Sequence, residues 1–147
     1  MQISSKFTIA VHIITAIDYF KDDEKVTSGF LAGSVGANPV IVRNVMLDLK
    51  EAGIINISQG KSGIELSREL SEITLLDVFR AVDCVNEDGL FHFHENTNAN
   101  CPVGRNIHKV MDPKLNAVQA AMEEQLKQLT LADIVEDTKA AIKKENE

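Results

Sequence analysis

Residues 35–66 read VGANPVIVRNVMLDLKEAGIINISQGKSGIEL, and this stretch holds a helix entry, a helix, a helix stop and a tight hairpin in succession. Asn38 is suited to cap a helix beginning at Pro39, because its amide oxygen accepts an orphan backbone N–H and proline has no N–H to leave unpaired. Gly53 follows Lys50-Glu51-Ala52 and supplies the left-handed conformation that ends a helix. Between these signals Val42, Val45, Met46 and Leu49 recur at i, i+3, i+4 and i+7, the spacing of a core-facing stripe. The opposite face carries Val40, Arg43, Asn44, Leu47, Asp48 and Glu51.

That outer face is graded along its length. Its cation and amide stand near the amino end and its carboxylates in the second half, so only the amino end suits a polyanion. Arg and Asn are also the residue types that read guanine and adenine edges. After Gly53, Ile54-Ile55-Asn56-Ile57 reads as a strand, Gln59 to Gly63 as a turn, and Ile64-Glu65-Leu66 as its return. The pattern is a helix followed by a two-stranded wing.

Upstream, Thr27-Ser28 introduces a short helix through about Val35, joined to Asn38 by Gly36-Ala37 alone, which makes a helix-turn-helix unit. Helical hairpins with glycine turns are common in proteins that never meet DNA, and the wing is what raises the signal. Still earlier, the apolar run Ile9 to Ile17 superficially resembles a leader peptide. It contains His12 and Thr15, lacks a small-residue cleavage site and runs into Asp18 and Asp22-Asp23-Glu24, so a buried first helix capped by Ser4 or Ser5 is expected instead.

Downstream, Thr74 caps a packing helix over residues 75–82, and residues 83–101 lose periodicity and read as a loop. Ile107, Val110, Met111, Leu115, Val118, Met122, Leu126 and Leu129 then keep a three-or-four spacing for more than twenty residues. Asp112-Pro113 lies inside this stripe as a cap and first residue, which predicts a break or kink. Thr130 caps a last helix through about Ile142. A long amphipathic arm outside a small DNA-reading unit is most simply explained by dimerisation, because paired half-sites need paired proteins.

The chain has 147 residues and a net charge of −7, unevenly spread: residues 1–68 carry 7 Lys/Arg against 7 Asp/Glu, and residues 69–147 carry 8 against 15. The neutral half holds the wing, so the acidic total confines a nucleic-acid footprint to that half without excluding it. Two cysteines indicate a reducing compartment rather than a disulfide framework. No apolar segment approaches the length of a membrane span.

Several of these residues coincide with a known family. Ser4-Ser5-Lys6-Phe7, Asn38-Pro39-Val40, Leu49 to Ile55, Ile73 to Val78, His94-Glu95-Asn96 with Cys101-Pro102-Val103-Gly104, and Thr130 to Asp133 together resemble the bacterial Rrf-two family of winged-helix transcription regulators, over essentially the whole chain. The resemblance implies a homodimer on a partly palindromic operator, with Pro39 to Ala52 in the major groove and the Gln59 to Gly63 wing beside it. Two departures stand out: Gln59 occupies a place where family wings often carry Arg, and the three closely spaced cysteines of iron-sulfur members are replaced by Cys84 and Cys101 alone.

The expected fold is mainly α with a small β wing: a winged helix-turn-helix domain with its packing helix over residues 1–83, a sensor or linker loop over 84–101, and a helical dimerisation region over 102–147. The expected DNA contacts are Ser5, Lys6, Asn38, Pro39, Val40, Arg43, Asn44, Lys61 and Ser62. His92, His94, Glu95 and Cys101 are competent metal ligands without a diagnostic spacing, so an ordered loop is preferred there and no metal or cofactor is assigned. Cys101-Pro102 places a thiol at a helix cap, where the positive end of the dipole favours the reactive thiolate, and this makes Cys101 a candidate redox sensor with Cys84 as a possible resolving partner. No serine, histidine and carboxylate trio sits in a strand-turn-helix setting, and no enzyme activity is expected. The reading is a cytoplasmic, homodimeric, sequence-specific repressor. The alternatives are an interaction module that has lost DNA affinity, or a redox or metal-binding protein.

Overall fold

The computed structural model describes residues 3–58, 63–82 and 89–147. Its elements, in chain order, are α1 (Lys6–Phe20), α2 (Ser28–Val35), α3 (Pro39–Glu51), β1 (Ile55–Ile57), β2 (Ile64–Leu66), a 3-10 turn (Leu70–Glu72), α4 (Leu75–Ala81), α5 (Pro102–Gln128) and α6 (Leu131–Glu145). The mainly α architecture with a two-stranded wing is therefore as expected.

Helix α1 is the centre of the core. Ala10, Ile13, Ile14 and Ile17 share one buried face and meet α2, α3, α4, α6 and β2. The run that mimics a leader peptide is thus the least exposed part of the molecule. Its amino end is held by the Ser4 hydroxyl, which accepts the Lys6 N–H at 3.2 Å, while Ser5 occupies the cap position without a side-chain bond.

Helix α2 starts at Thr27, whose hydroxyl accepts the Phe30 N–H, and stops at Gly36 with φ 73°. Helix α3 starts three residues later, at Pro39, and the two axes turn through 114°, within the range of helix-turn-helix units. At the far end of α3 the Gly53 N–H reaches the Lys50 carbonyl and the Ile54 N–H reaches the Leu49 carbonyl. This pair of bonds, with Gly53 at φ 77°, satisfies two orphan carbonyls and aims Ile54 into the core.

The wing strands pair antiparallel in the register Ile55↔Leu66, Asn56↔Glu65 and Ile57↔Ile64. Strand alternation buries Ile55 and Ile64 and exposes Asn56 and Glu65. Gly63 has φ 67°, and a Cβ there would lie 2.5 Å from the Val26 carbonyl oxygen, which accepts the Ile64 N–H at 3.1 Å. The base of the wing is stitched to the segment before α2.

Of the break or kink expected at Asp112-Pro113, the break is absent: α5 is a single helix of 27 residues with Pro113 inside it. Proline removes the bond to the Lys109 carbonyl, but Ile107, Met111, Leu115 and Met122 keep one phase across it and all lie partly buried. Extended backbone at Asp112 would throw the second half of that stripe out of register. Asp112 Oδ1 instead accepts from His108 Nδ1 at 3.1 Å across one helical turn.

The apolar stripe of α5 is divided between two faces. Met122 and Leu126 pack on the core, whereas Val103, Val110 and Val118 are exposed. Helix α6 then returns along α1, burying Leu131 and Val135, so the end of the chain helps to complete the core of the winged unit.

Candidate nucleic-acid interface

The core stripe of α3 (Val42, Val45, Met46 and Leu49) fixes which residues face outward. Val40, Arg43, Asn44 and Leu47 are all exposed, and so is Glu51 near the carboxyl end. Among the described residues, Arg43 and Asn44 make no side-chain hydrogen bond or ion pair within the chain. Their donors are left open to solvent. Asn38 is exposed as well, but its Oδ1 accepts the Val40 N–H at 2.8 Å. It holds the first turn in shape, and Pro39 fixes the backbone at N1.

Arg43 also lines a cleft of about 370 Å³ between α3, the wing base and the amino end of α2. Lys25, Thr27 and Ser28 stand on one side of it, and Ser58, Gly63 and Ile64 on another. The start of α2 therefore opens into the space that Arg43 faces. The rest of the lining is largely apolar, through Val26, Met46, Leu47 and Ile57. Lys25, Thr27 and Ser28 were not singled out as contacts from sequence, although Thr27-Ser28 was legible as a helix entry.

Ser5 and Lys6 are exposed at the start of α1 and do not line this cleft. Lys61 and Ser62 at the wing tip lie outside the described residues, as does Cys84. Cys101 is the N-cap residue of α5 and a partly exposed free thiol, and its sulfur makes no capping bond. The cap region is closed by backbone and arginine instead: the Cys101 N–H donates to the Asn98 carbonyl at 3.1 Å, and Arg105 Nη1 donates to the Ala99 carbonyl at 3.0 Å.

The histidines group differently from the sequence reading. His94 lies against His108, with ring centroids 5.0 Å apart, and His108 pairs with Asp112. His108 was missed, though its i, i+4 relation to Asp112 on a helix was available. Among the described residues no three His, Cys, Asp or Glu side chains are placed to hold a metal ion.

A family profile described as "Rrf2: Iron-dependent Transcriptional regulator" matches residues 3–137. The chain belongs to the Rrf2 family. It is 39% identical over 133 residues to the HTH-type transcriptional regulator YwnA of Bacillus subtilis (strain 168), covering 90% of this chain and 96% of that one. A solved structure described as a DNA binding protein superposes with a TM-score of 0.70 at 35% identity, covering 88% of this chain and 98% of the other. A transcriptional regulator from Lactobacillus plantarum superposes with a TM-score of 0.76 at 24% identity, over 97% and 99% of the two chains, and shares the fold. The chain is accordingly a DNA-binding transcriptional regulator and not an enzyme. The iron in the family description has no set of three His, Cys, Asp or Glu ligands among the described residues.

Proposed function

We propose that this Rrf2 regulator is a cytoplasmic homodimer that represses transcription by placing the amino half of α3 from each protomer in the major groove of a partly palindromic operator. The observation that carries this is the outward face of α3, where Arg43 and Asn44 are exposed without partners among the described residues, next to the amino end of α2. Asp48 and Glu51 farther along oppose phosphate, so the helix enters by its amino end, with Leu47 as the last residue toward the groove. Dimerisation is supported by α5, a helix of 27 residues with no fully buried side chain and with Val103, Val110 and Val118 exposed.

Selection of duplexes from a random pool tests this directly, and recovery of a sequence with two related half-sites is the expected result. Arg43→Ala should cost about 1–3 kcal/mol and relax discrimination at one position of each half-site. Absence of salt-dependent binding to any selected duplex would replace this reading with an interaction module.

Cys101 is the proposed entry point for an oxidative signal, on the strength of its partly exposed thiol at the first turn of α5. A hydroperoxide would convert the thiol to a sulfenic acid, releasing the corresponding alcohol or water. Operator binding by Cys101→Ser should lose the response of the parent to peroxide. An unchanged response in that variant removes the assignment.

A further inference from the structure

Exposed large apolar side chains are not scattered over this molecule. Of the eight among the described residues, three lie on α5 (Val103, Val110 and Val118) and three on α3 (Val40, Ile41 and Leu47). The α5 group has the second protomer to meet. The α3 group needs its own explanation, because the core face of that helix is already filled by Val42, Val45, Met46 and Leu49. Single exposed apolar residues are ordinary on a protein surface. Val40 and Leu47, each 55% exposed, are more than that. At 100° per residue they fall within about 20° of one another, with Arg43 and Asn44 between them along the axis, about 60° to one side and about 40° to the other.

From this arrangement we infer that Val40 and Leu47 read thymine, each through contact with a C5 methyl group in the major groove. The inference rests on the proposed placement of α3 in the major groove and specifies its chemistry. The thymine methyl is the one apolar group that a base edge presents in that groove, and it distinguishes thymine from every other base. Arg43 and Asn44 supply the donors and acceptors for neighbouring purines, so the four residues form one reading face with apolar ends and a polar middle. Val40 is well prepared for this. Its backbone N–H is fixed by Asn38 Oδ1 at 2.8 Å, and its β-branched side chain is confined to few rotamers, so little freedom is lost on contact. Leu47 borders the cleft that also contains Arg43 and Ile57, which places its thymine toward the wing. Ile41 lies about 100° round the helix from Val40 and has no part in that face.

The experiment uses the full chain and its selected duplex, with each thymine of a half-site replaced in turn by deoxyuridine, a change that removes one methyl group and nothing else. For the parent, affinity should fall about fourfold at the contacted thymines, equivalent to about 0.8 kcal/mol for one buried methyl. Val40→Ala should become indifferent to the substitution at one of those thymines while keeping the sensitivity at the other, and Leu47→Ala should show the reverse. Both side chains are exposed, and matching thermal melts of the variants confirm that the fold is intact. A parent that binds the duplex but is insensitive to every deoxyuridine leaves the DNA-binding role standing and overturns this inference, as does a pair of variants that retain the parent's pattern. The apolar pair would then belong to a protein contact. Failure of the parent to bind any selected duplex would instead overturn the DNA-binding role, and this inference with it.

Discussion

Thr74 and Thr130 face one another in an antiparallel bridge, with the Leu75 N–H donating to the Leu129 carbonyl and the Leu131 N–H to the Ile73 carbonyl, both at 2.8 Å. Each threonine also caps its own helix. Thr74 Oγ1 accepts the Asp77 N–H and Thr130 Oγ1 accepts the Asp133 N–H, while the two aspartates return a bond of 3.0 Å to the threonine N–H groups. The starts of α4 and α6 are thus a single joint, and the end of α5 is held in it. Replacing either threonine with alanine should lower stability by about 1 kcal/mol. Because the two sites touch, the double variant should depart from the sum of the singles, which urea denaturation of the four proteins will show.

Asp18 is 6% exposed and is the buried charged residue of the described chain. Its Oδ1 accepts from Lys21 Nζ at 3.2 Å, and its Oδ2 lies 3.2 Å from Lys139 Nζ as an ion pair without hydrogen-bond alignment. Lys139 ties α6 to α1. Both lysines remain more than half exposed, so solvent screens the attraction, and the larger effect of losing one is the unmet carboxylate oxygen. Lys139→Ala should destabilise the chain by about 1–2 kcal/mol, toward the lower end of the cost of an unsatisfied buried group. A midpoint within error of the parent in urea would show that Lys21 and water suffice.

Val110 and Val118 are 54% and 52% exposed on α5, whereas Met122 packs on the core of its own chain. Val110→Glu and Val118→Glu should weaken the dimer at least tenfold, by burying an unpaired carboxylate in its interface, while leaving the unfolding midpoint of the dissociated subunit unchanged. Met122→Glu should lower that midpoint instead. Light scattering over a concentration series separates the two effects, and a parent that is monomeric at micromolar concentration would exclude the dimer.

Gly63 combines a left-handed φ of 67° with a backbone oxygen 2.5 Å from where its Cβ would stand. Gly63→Ala should therefore cost more than the roughly 1–2 kcal/mol of the conformation alone. The wing base has to move away from Val26 to accept it, so DNA affinity should fall along with stability. Gly33, with open space around its Cβ position and ordinary helical backbone, is the matched control: Gly33→Ala should be neutral or stabilising by up to about 1 kcal/mol. Thermal melts of the two variants are the measurement.

Local signals carried much of this protein in its sequence. Asn38-Pro39, Gly53, Thr74 and Thr130 each mark a helix end through chemistry confined to three or four residues, and the structure has helix ends at all four places. The outward position of Arg43 and Asn44 was legible for the same reason, since a complete apolar stripe on one side of a helix leaves only one side for them. What depends on residues far apart in the chain was not legible. Nothing near Pro113 shows that α5 continues through it, because the reward is the common phase of Ile107, Met111, Leu115 and Met122. Nothing near Met122 shows that it meets the core while Val118, one turn earlier, does not. The return of α6 along α1, the bridge between Thr74 and Thr130, and the meeting of Arg43 with the start of α2 likewise follow from packing a whole chain around Ile13, Ile14 and Ile17. Hydrogen bonding within a turn is decided by neighbours in sequence, but the choice of which apolar face is covered, and by what, belongs to the tertiary structure, because burial is shared among all the elements that compete for it.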